Sequence, residues 1–273
     1  MKRLFYIAIP LSILLSCKGK NDGDDQSNAN GKQLDQSPVM IQQFKPVING
    51  VWIKKNYIKK LIKSRSPLEA AERAEGITTF YIDTEKITGD SLKVAVNMDN
   101  RKDTSVVLRF QPGRNTTTIM LGDDELSYNI KRNDTTLLIY HYNQRKRETT
   151  SDKYIKASDK PVGDKLINNM DYAINKGLMA GNYQAADAAG KNFRVSFTED
   201  GKVSGLPGYS TYFIQNMLDD DKDKADLIIF NRGSQGEKVY AFKKEKKSLT
   251  LYETTGTGPS LQAGAEKYKL AKK

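Results

Sequence analysis

Two stretches of the chain consist of short runs in which apolar and polar side chains alternate, broken by Gly, Asn and Asp. The first holds Ile77–Asp83, Ser91–Asn97, Ser105–Phe110, Thr116–Leu121, Glu125–Ile130 and Thr136–Tyr142. The second holds Phe193–Phe197, Tyr209–Ile214, Asp226–Phe230, Lys238–Phe242 and Ser248–Tyr252. A period of two turns one face of a strand to a core and the other to water. Many such runs at regular spacing build an antiparallel barrel or sandwich. A length of 273 residues suits two modest units. The expected fold is therefore mostly β: two tandem antiparallel barrels, or barrel-like meanders, with short accessory helices.

Two segments break the alternation. Asn56–Ile62 with Pro67–Ala74 reads as a helical insertion, Pro67 fitting a first turn and Gly76 a stop. Asp164–Lys176 places Leu166, Ile167, Met170, Ala173 and Ile174 on one face, with Asp164 as cap and Gly177 as terminator. The halves also match each other. Tyr128–Tyr140 aligns without a gap on Tyr240–Tyr252, Lys153–Ala157 on Lys267–Ala271, and Asn49–Trp52 on Ala180–Tyr183, an order that suggests duplication.

At the start, Lys2 and Arg3 precede an apolar run from Leu4 to Leu15 that is too short to span a bilayer, which takes about 20 residues. Leu14-Leu15-Ser16-Cys17 resembles the bacterial lipobox. That resemblance implies lipidation of Cys17, cleavage before it, and attachment to the cell envelope. By resemblance to enteric sorting rules, Lys18 after the cysteine favours the outer membrane over the inner one, while Asp22, Asp24 and Asp25 loosely resemble surface-export signals, so inner-leaflet and cell-surface display both stay open. The expected organisation is a signal peptide over 1–16, a flexible polar tether over 17–45, barrel 1 over 46–158 and barrel 2 over 159–273.

Composition removes several alternatives. A lone cysteine allows no intrachain disulfide, and with a lone histidine beside it no zinc set can be assembled. The 44 basic and 33 acidic residues give +11, which falls to +9 once Lys2 and Arg3 leave with the leader. With 38% hydrophobic and 28% charged residues, the chain does not read as a multi-span membrane protein.

Gly50-Val51-Trp52 at the head of a β-meander resembles the Gly-x-Trp signature of the lipocalins. In that family the tryptophan plugs the closed end of the barrel and an arginine beyond the last strand packs across it. The resemblance implies that role for Trp52, with Arg145 or Arg147 as partner; Gly181-Asn182-Tyr183 is a weaker copy with no arginine after Tyr252. Phe197–Gly205 is similar to a stretch of small envelope-lipoprotein barrels. A lipocalin-like calyx would hold a small apolar or amphipathic ligand, with Tyr81, Phe110 and Tyr128 as candidate lining residues. The alternative is a pair of solid barrels whose exposed edges or basic turns contact another envelope protein.

Catalysis finds no motif. His141 lies between Tyr140 and Tyr142 on an alternating run and reads as structural. Gly-x-Ser-x-Gly, Ser-x-x-Lys and His-Glu-x-x-His are all missing from the sequence. No cofactor is expected. Asp219, Asp221 and Asp223 have the opening spacing of a calcium loop, but Lys224 and Phe230 occupy its glycine and glutamate positions. The basic turns Arg145–Arg147 and Lys243–Lys247 suit acidic head groups, glycans or solvent, and nucleic acid is not an expected partner outside the cytoplasm. An envelope enzyme acting on lipid or glycan is the third and least favoured reading.

Overall fold

Alternation becomes two rings of strands. The computed structural model describes residues 35–187, 190, 192–217, 225–257 and 260–273. In its first half, β1 (Gly50–Lys54), β2 (Ile77–Ile82), β3 (Ser91–Met98), β4 (Lys102–Pro112), β5 (Ile119–Leu121), β6 (Asp124–Lys131), β7 (Asp134–Asn143) and β8 (Glu148–Ser158) pair each with the next, all antiparallel. β8 returns to β1 and closes barrel 1. The β6–β7 hairpin turns through Arg132 and Asn133, whose φ values of 51° and 71° give the primed geometry that matches strand twist.

The second half repeats the plan with β9 (Gly181–Asp187), β10 (Asn192–Phe197), β11 (Val203–Ser204), β12 (Tyr212–Ile214), β13 (Leu227–Phe230), β14 (Lys238–Lys244), β15 (Ser248–Thr255) and β16 (Gln262–Lys272). Here β16 pairs with β9. The sheet is nearly closed: β11 and β12 are its end strands, and a single bridge between Lys202 and Thr211 joins their flanks.

The helices depart from expectation. Residues 37–45, assigned above to the tether, belong to α1 (Ser37–Ile48). Pro38 fits its first turn, and Met40, Phe44 and Ile48 recur every four residues to form a buried stripe. That stripe joins the core of barrel 1, where each side chain contributes about 1.5–3 kcal/mol. The insertion forms α2 (Lys55–Ser64) and α3 (Pro67–Ala70), the latter continued by a 3-10 turn to Ala74. The last expected helix is shorter than the sequence suggests. α4 (Asn168–Ile174) runs on as a π turn over Asn175–Met179, so Gly177 sits inside that turn and does not end the helix, and Ile167 replaces Asp164 at the cap.

The insertion packs against barrel 2, a contact that no local periodicity encodes. Tyr57, Ile58 and Leu61 of α2, with Ala70, Ala74 and the outward-facing Ile53, share one core with Met170, Ile174 and the interior of barrel 2. Polar contacts cross the same seam: Leu68 N–H donates to Asp226 at 2.8 Å, and Asn100 Nδ2 donates to the Asn216 carbonyl at 3.2 Å. Asn216 Nδ2 in turn donates to Asp171 at 2.7 Å.

Cross-strand register corrects the internal alignment. Trp52 pairs with Lys156 and Tyr183 with Lys272, which makes Tyr154 the counterpart of Leu270, not of Tyr268. Leu137 and Leu249 correspond as expected, since they lie opposite Tyr154 and Leu270. Across from them stand Tyr128 and Lys244, so the gapless match of Tyr128 with Tyr240 fails. The β14–β15 hairpin turns two residues earlier on each strand, and a continuous alignment cannot absorb that.

Candidate functional site

A calyx would need hollow interiors. In barrel 1 the inward rows form one contiguous core that includes Trp52, Phe80, Phe110, Leu126, Ile139 and Tyr154, with α1 laid into the end where β1 begins. Phe110 is a fully buried member of that core. Tyr128 packs edge-on against Phe44 of α1, ring centroids 5.2 Å apart, so it meets the plug and lines no space. Tyr81 alternates with the core residues Phe80 and Ile82 and therefore faces outward, which removes it from any lumen. Barrel 2 is filled likewise, by Tyr183, Phe197, Tyr212, Phe230, Tyr240 and their neighbours.

At the open end of barrel 1, opposite α1, the inward rows finish in charges. Lys54, Asp152, His141 and Asp124 continue the rows of Trp52, Tyr154, Ile139 and Leu126 on β1, β8, β7 and β6. They form an alternating chain: Lys54 Nζ lies 2.7 Å from Asp152, His141 Nε2 3.5 Å from the same carboxylate oxygen, and His141 Nδ1 2.9 Å from Asp124. Lys54, 6% exposed, also donates to the Glu75 carbonyl at 2.5 Å. Hydrogen bonds to Asp124 and then Asp152 raise the His141 pKa to about 9, against the opposing effect of burial. Burial pushes Asp152 upward, but His141 and Lys54 outweigh it and hold it below the ordinary carboxylate value. At neutral pH the imidazole is a cation with both nitrogens donating, so it has no lone pair with which to act as a general base. A cleft of about 380 Å³ between this chain and the insertion is lined by Lys54, Arg73, Glu75, His141 and Asp152.

A second cleft, of about 270 Å³, lies on the outer wall. Residues 113–118 fold back over β6, which is why β5 starts at Ile119 and not at Thr116. Glu125, 9% exposed, holds the fold-back: it accepts from the Arg114 backbone N–H at 3.1 Å and from Thr118 Oγ1 at 2.7 Å. Gly113 allows this approach, since a Cβ there would come within 2.5 Å of both Glu125 Oε2 and Thr118 Oγ1. Anchored so, Arg114 lays its guanidinium 3.5 Å from the centre of the Tyr142 ring.

The remaining predicted residues are dispersed. Gly50 and Gly181 take φ of 121° and 141° with Lys156 and Lys272 against them, and Trp52 and Tyr183 are buried just beyond. Arg145 and Arg147 do not lock Trp52: both lie in the exposed β7–β8 turn, and Arg147 is nine residues, about 30 Å of strand, from Lys156. The ring of Tyr183 is flanked by Lys244 and Lys272, whose Nζ atoms are 5.4 and 5.9 Å from its centre. Cys17 and Asp219, Asp221 and Asp223 lie outside the described residues. Among the described residues no group of three or more His, Cys, Asp or Glu could hold a metal, and no helix is long and apolar enough to cross a membrane.

Sequence reading passed over Lys54, Asp124 and Asp152, though strand parity alone puts them on the core side of their runs. Arg114 and Glu125 gave no such signal, because the fold-back that joins them is a tertiary event. These features define the class as a mostly β protein of two antiparallel barrel-like sheets with filled interiors. No family model matches the chain, and neither a curated protein nor a solved structure matches it.

Proposed function

We propose that this is a lipid-anchored, non-enzymatic lipoprotein of the bacterial envelope, held at the outer membrane through Cys17, whose solid barrels contact another envelope protein through the open rim of barrel 1. The observation that carries this reading is the filling of both barrels by continuous cores, which favours recognition on an outer surface over a calyx. The β7–β8 turn supplies the contact. Arg145, Lys146 and Arg147 are exposed there, beside a cleft lined by His141, Tyr142, Gln144 and Glu148. The Lys54–Asp152–His141–Asp124 chain below fixes the strand ends, so the basic turn stands on a rigid base and an acidic patch on the partner is its natural complement.

A photo-crosslinking amino acid at Gln144, introduced in the producing cell, tests this. It should give a discrete protein adduct that disappears when Arg145→Glu and Arg147→Glu are combined. A small apolar molecule leaving with the full chain in native mass spectrometry, with no adduct, would instead support the calyx.

A further inference from the structure

We propose that the outer-wall cleft of barrel 1, under residues 113–118, is a binding site for a neutral glycan. Its lining contains no Ala, Val, Leu, Ile or Met side chain, so its apolar surface comes from tyrosine rings, threonine methyls and the Arg114 stem, with no continuous aliphatic channel for a fatty chain. What it offers is a spread of hydrogen-bonding groups of both kinds. Arg114 forms no ion pair among the described residues; its guanidinium stacks on Tyr142, which leaves its N–H donors pointing to meet a ligand. Asp123 is likewise without an ion pair among the described residues and supplies a carboxylate acceptor on the same cleft. Tyr140, Tyr142 and Thr149 add hydroxyls that can donate or accept.

That pattern selects a ligand. A phosphate would call for an excess of cations, and here Arg114 is balanced by Asp123 while Glu125 is committed to holding the fold-back. A basic peptide would call for several free carboxylates. A sugar ring carries apolar C–H faces that rest on tyrosine rings, and an edge of hydroxyls that each donate and accept; planar guanidinium and carboxylate groups meet adjacent hydroxyls two at a time. A volume of about 270 Å³ falls just below the usual range for a drug-sized ligand, which fits one ring of a longer chain. The walls are set before binding, by the Glu125 bonds and the Asn115 side chain, which accepts from Thr117 N–H at 3.1 Å.

The test uses the full chain in a sugar-free detergent and saturation-transfer NMR with maltotriose, cellotriose and chitotriose, with laurate and trilysine as comparators. At least one neutral trisaccharide should receive saturation. Its affinity should fall about tenfold or more in Arg114→Ala and again in Asp123→Ala, the scale of one lost charged hydrogen bond, and stay unchanged in Lys246→Ala, in an exposed turn of barrel 2. Both truncated side chains are exposed, so the fold tolerates their loss. The proposal is overturned if no neutral trisaccharide receives saturation, if the signal survives both cleft substitutions, or if only laurate or trilysine responds through Arg114 and Asp123.

Discussion

Trp52 and Tyr183 hold the same place in the two barrels, and each returns its polar atom to the carbonyl four residues earlier: Trp52 Nε1 to Ile48 at 2.8 Å, Tyr183 Oη to Met179 at 2.6 Å. Both link the first strand of a barrel to the last turn of the helix before it. Different side chains thus preserve one bond. Tyr183→Phe removes only the bond and orphans a buried carbonyl, and should cost about 1–2 kcal/mol. Trp52→Phe adds a cavity and should cost about 2–4 kcal/mol. Urea unfolding measures both; an unchanged midpoint for Tyr183→Phe would mean that the bond adds nothing to stability.

The charged chain at the open rim predicts a pH dependence. The His141 pKa is about 9 in the folded protein against an ordinary 6.5. Its contribution is therefore complete below about pH 6.5 and is lost as pH rises through 9. Because the side chain is 35% exposed, screening reduces that contribution to about 1–2 kcal/mol. Unfolding free energy should fall across this window in the native protein, and less so in His141→Gln. Identical slopes would show that the histidine is not coupled to folding.

Asp171 at the inter-barrel seam has the same sign for a different reason. Burial raises its pKa to about 6, partly offset by the hydrogen bond from Asn216 and then by Arg232. The neutral form is the better guest, so stability from this group is complete below about pH 3.8 and lost as pH rises through 6. Asp171→Asn keeps an acceptor for Asn216 and removes the charge. It should stabilise the protein by about 1–2 kcal/mol at pH 8 and by nothing at pH 3.5, read from thermal unfolding at the two values.

Anchoring has its own check. Cys17→Ser should abolish incorporation of radiolabelled fatty acid and move the protein from the membrane fraction to the soluble one. Labelling that persists would remove the lipid anchor from the proposed function.

How much of this was legible depended on whether the signal was local. Strands such as Ser91–Met98, with its buried residues Leu92, Val94 and Val96, follow from period two alone. The stripe of Met40, Phe44 and Ile48 in α1 was equally present in the sequence, but it follows directly on the polar stretch after Lys18 and reads with it as tether. Strand facing could have been carried further: the parity that buries Leu126, Ile139 and Tyr154 also points Asp124, His141 and Asp152 inward. The fold-back of 113–118 onto Glu125, and the packing of α2 against barrel 2, join residues far apart in sequence through shape, and no periodicity encodes them.

Helices α2 and α3 precede most of barrel 1 in the chain but are covered by barrel 2. An exported chain enters the envelope amino-terminus first, so residues 55–74 arrive before residues 168–270 and the Tyr57, Ile58 and Leu61 face waits for its cover. On that order of arrival the later half is expected to fold against a surface already in place, which gives maturation a direction: the amino-terminal half as template and the carboxy-terminal half as cast. Swapping the order of the halves in the gene would leave the finished contacts available and take the template away from the half that needs it.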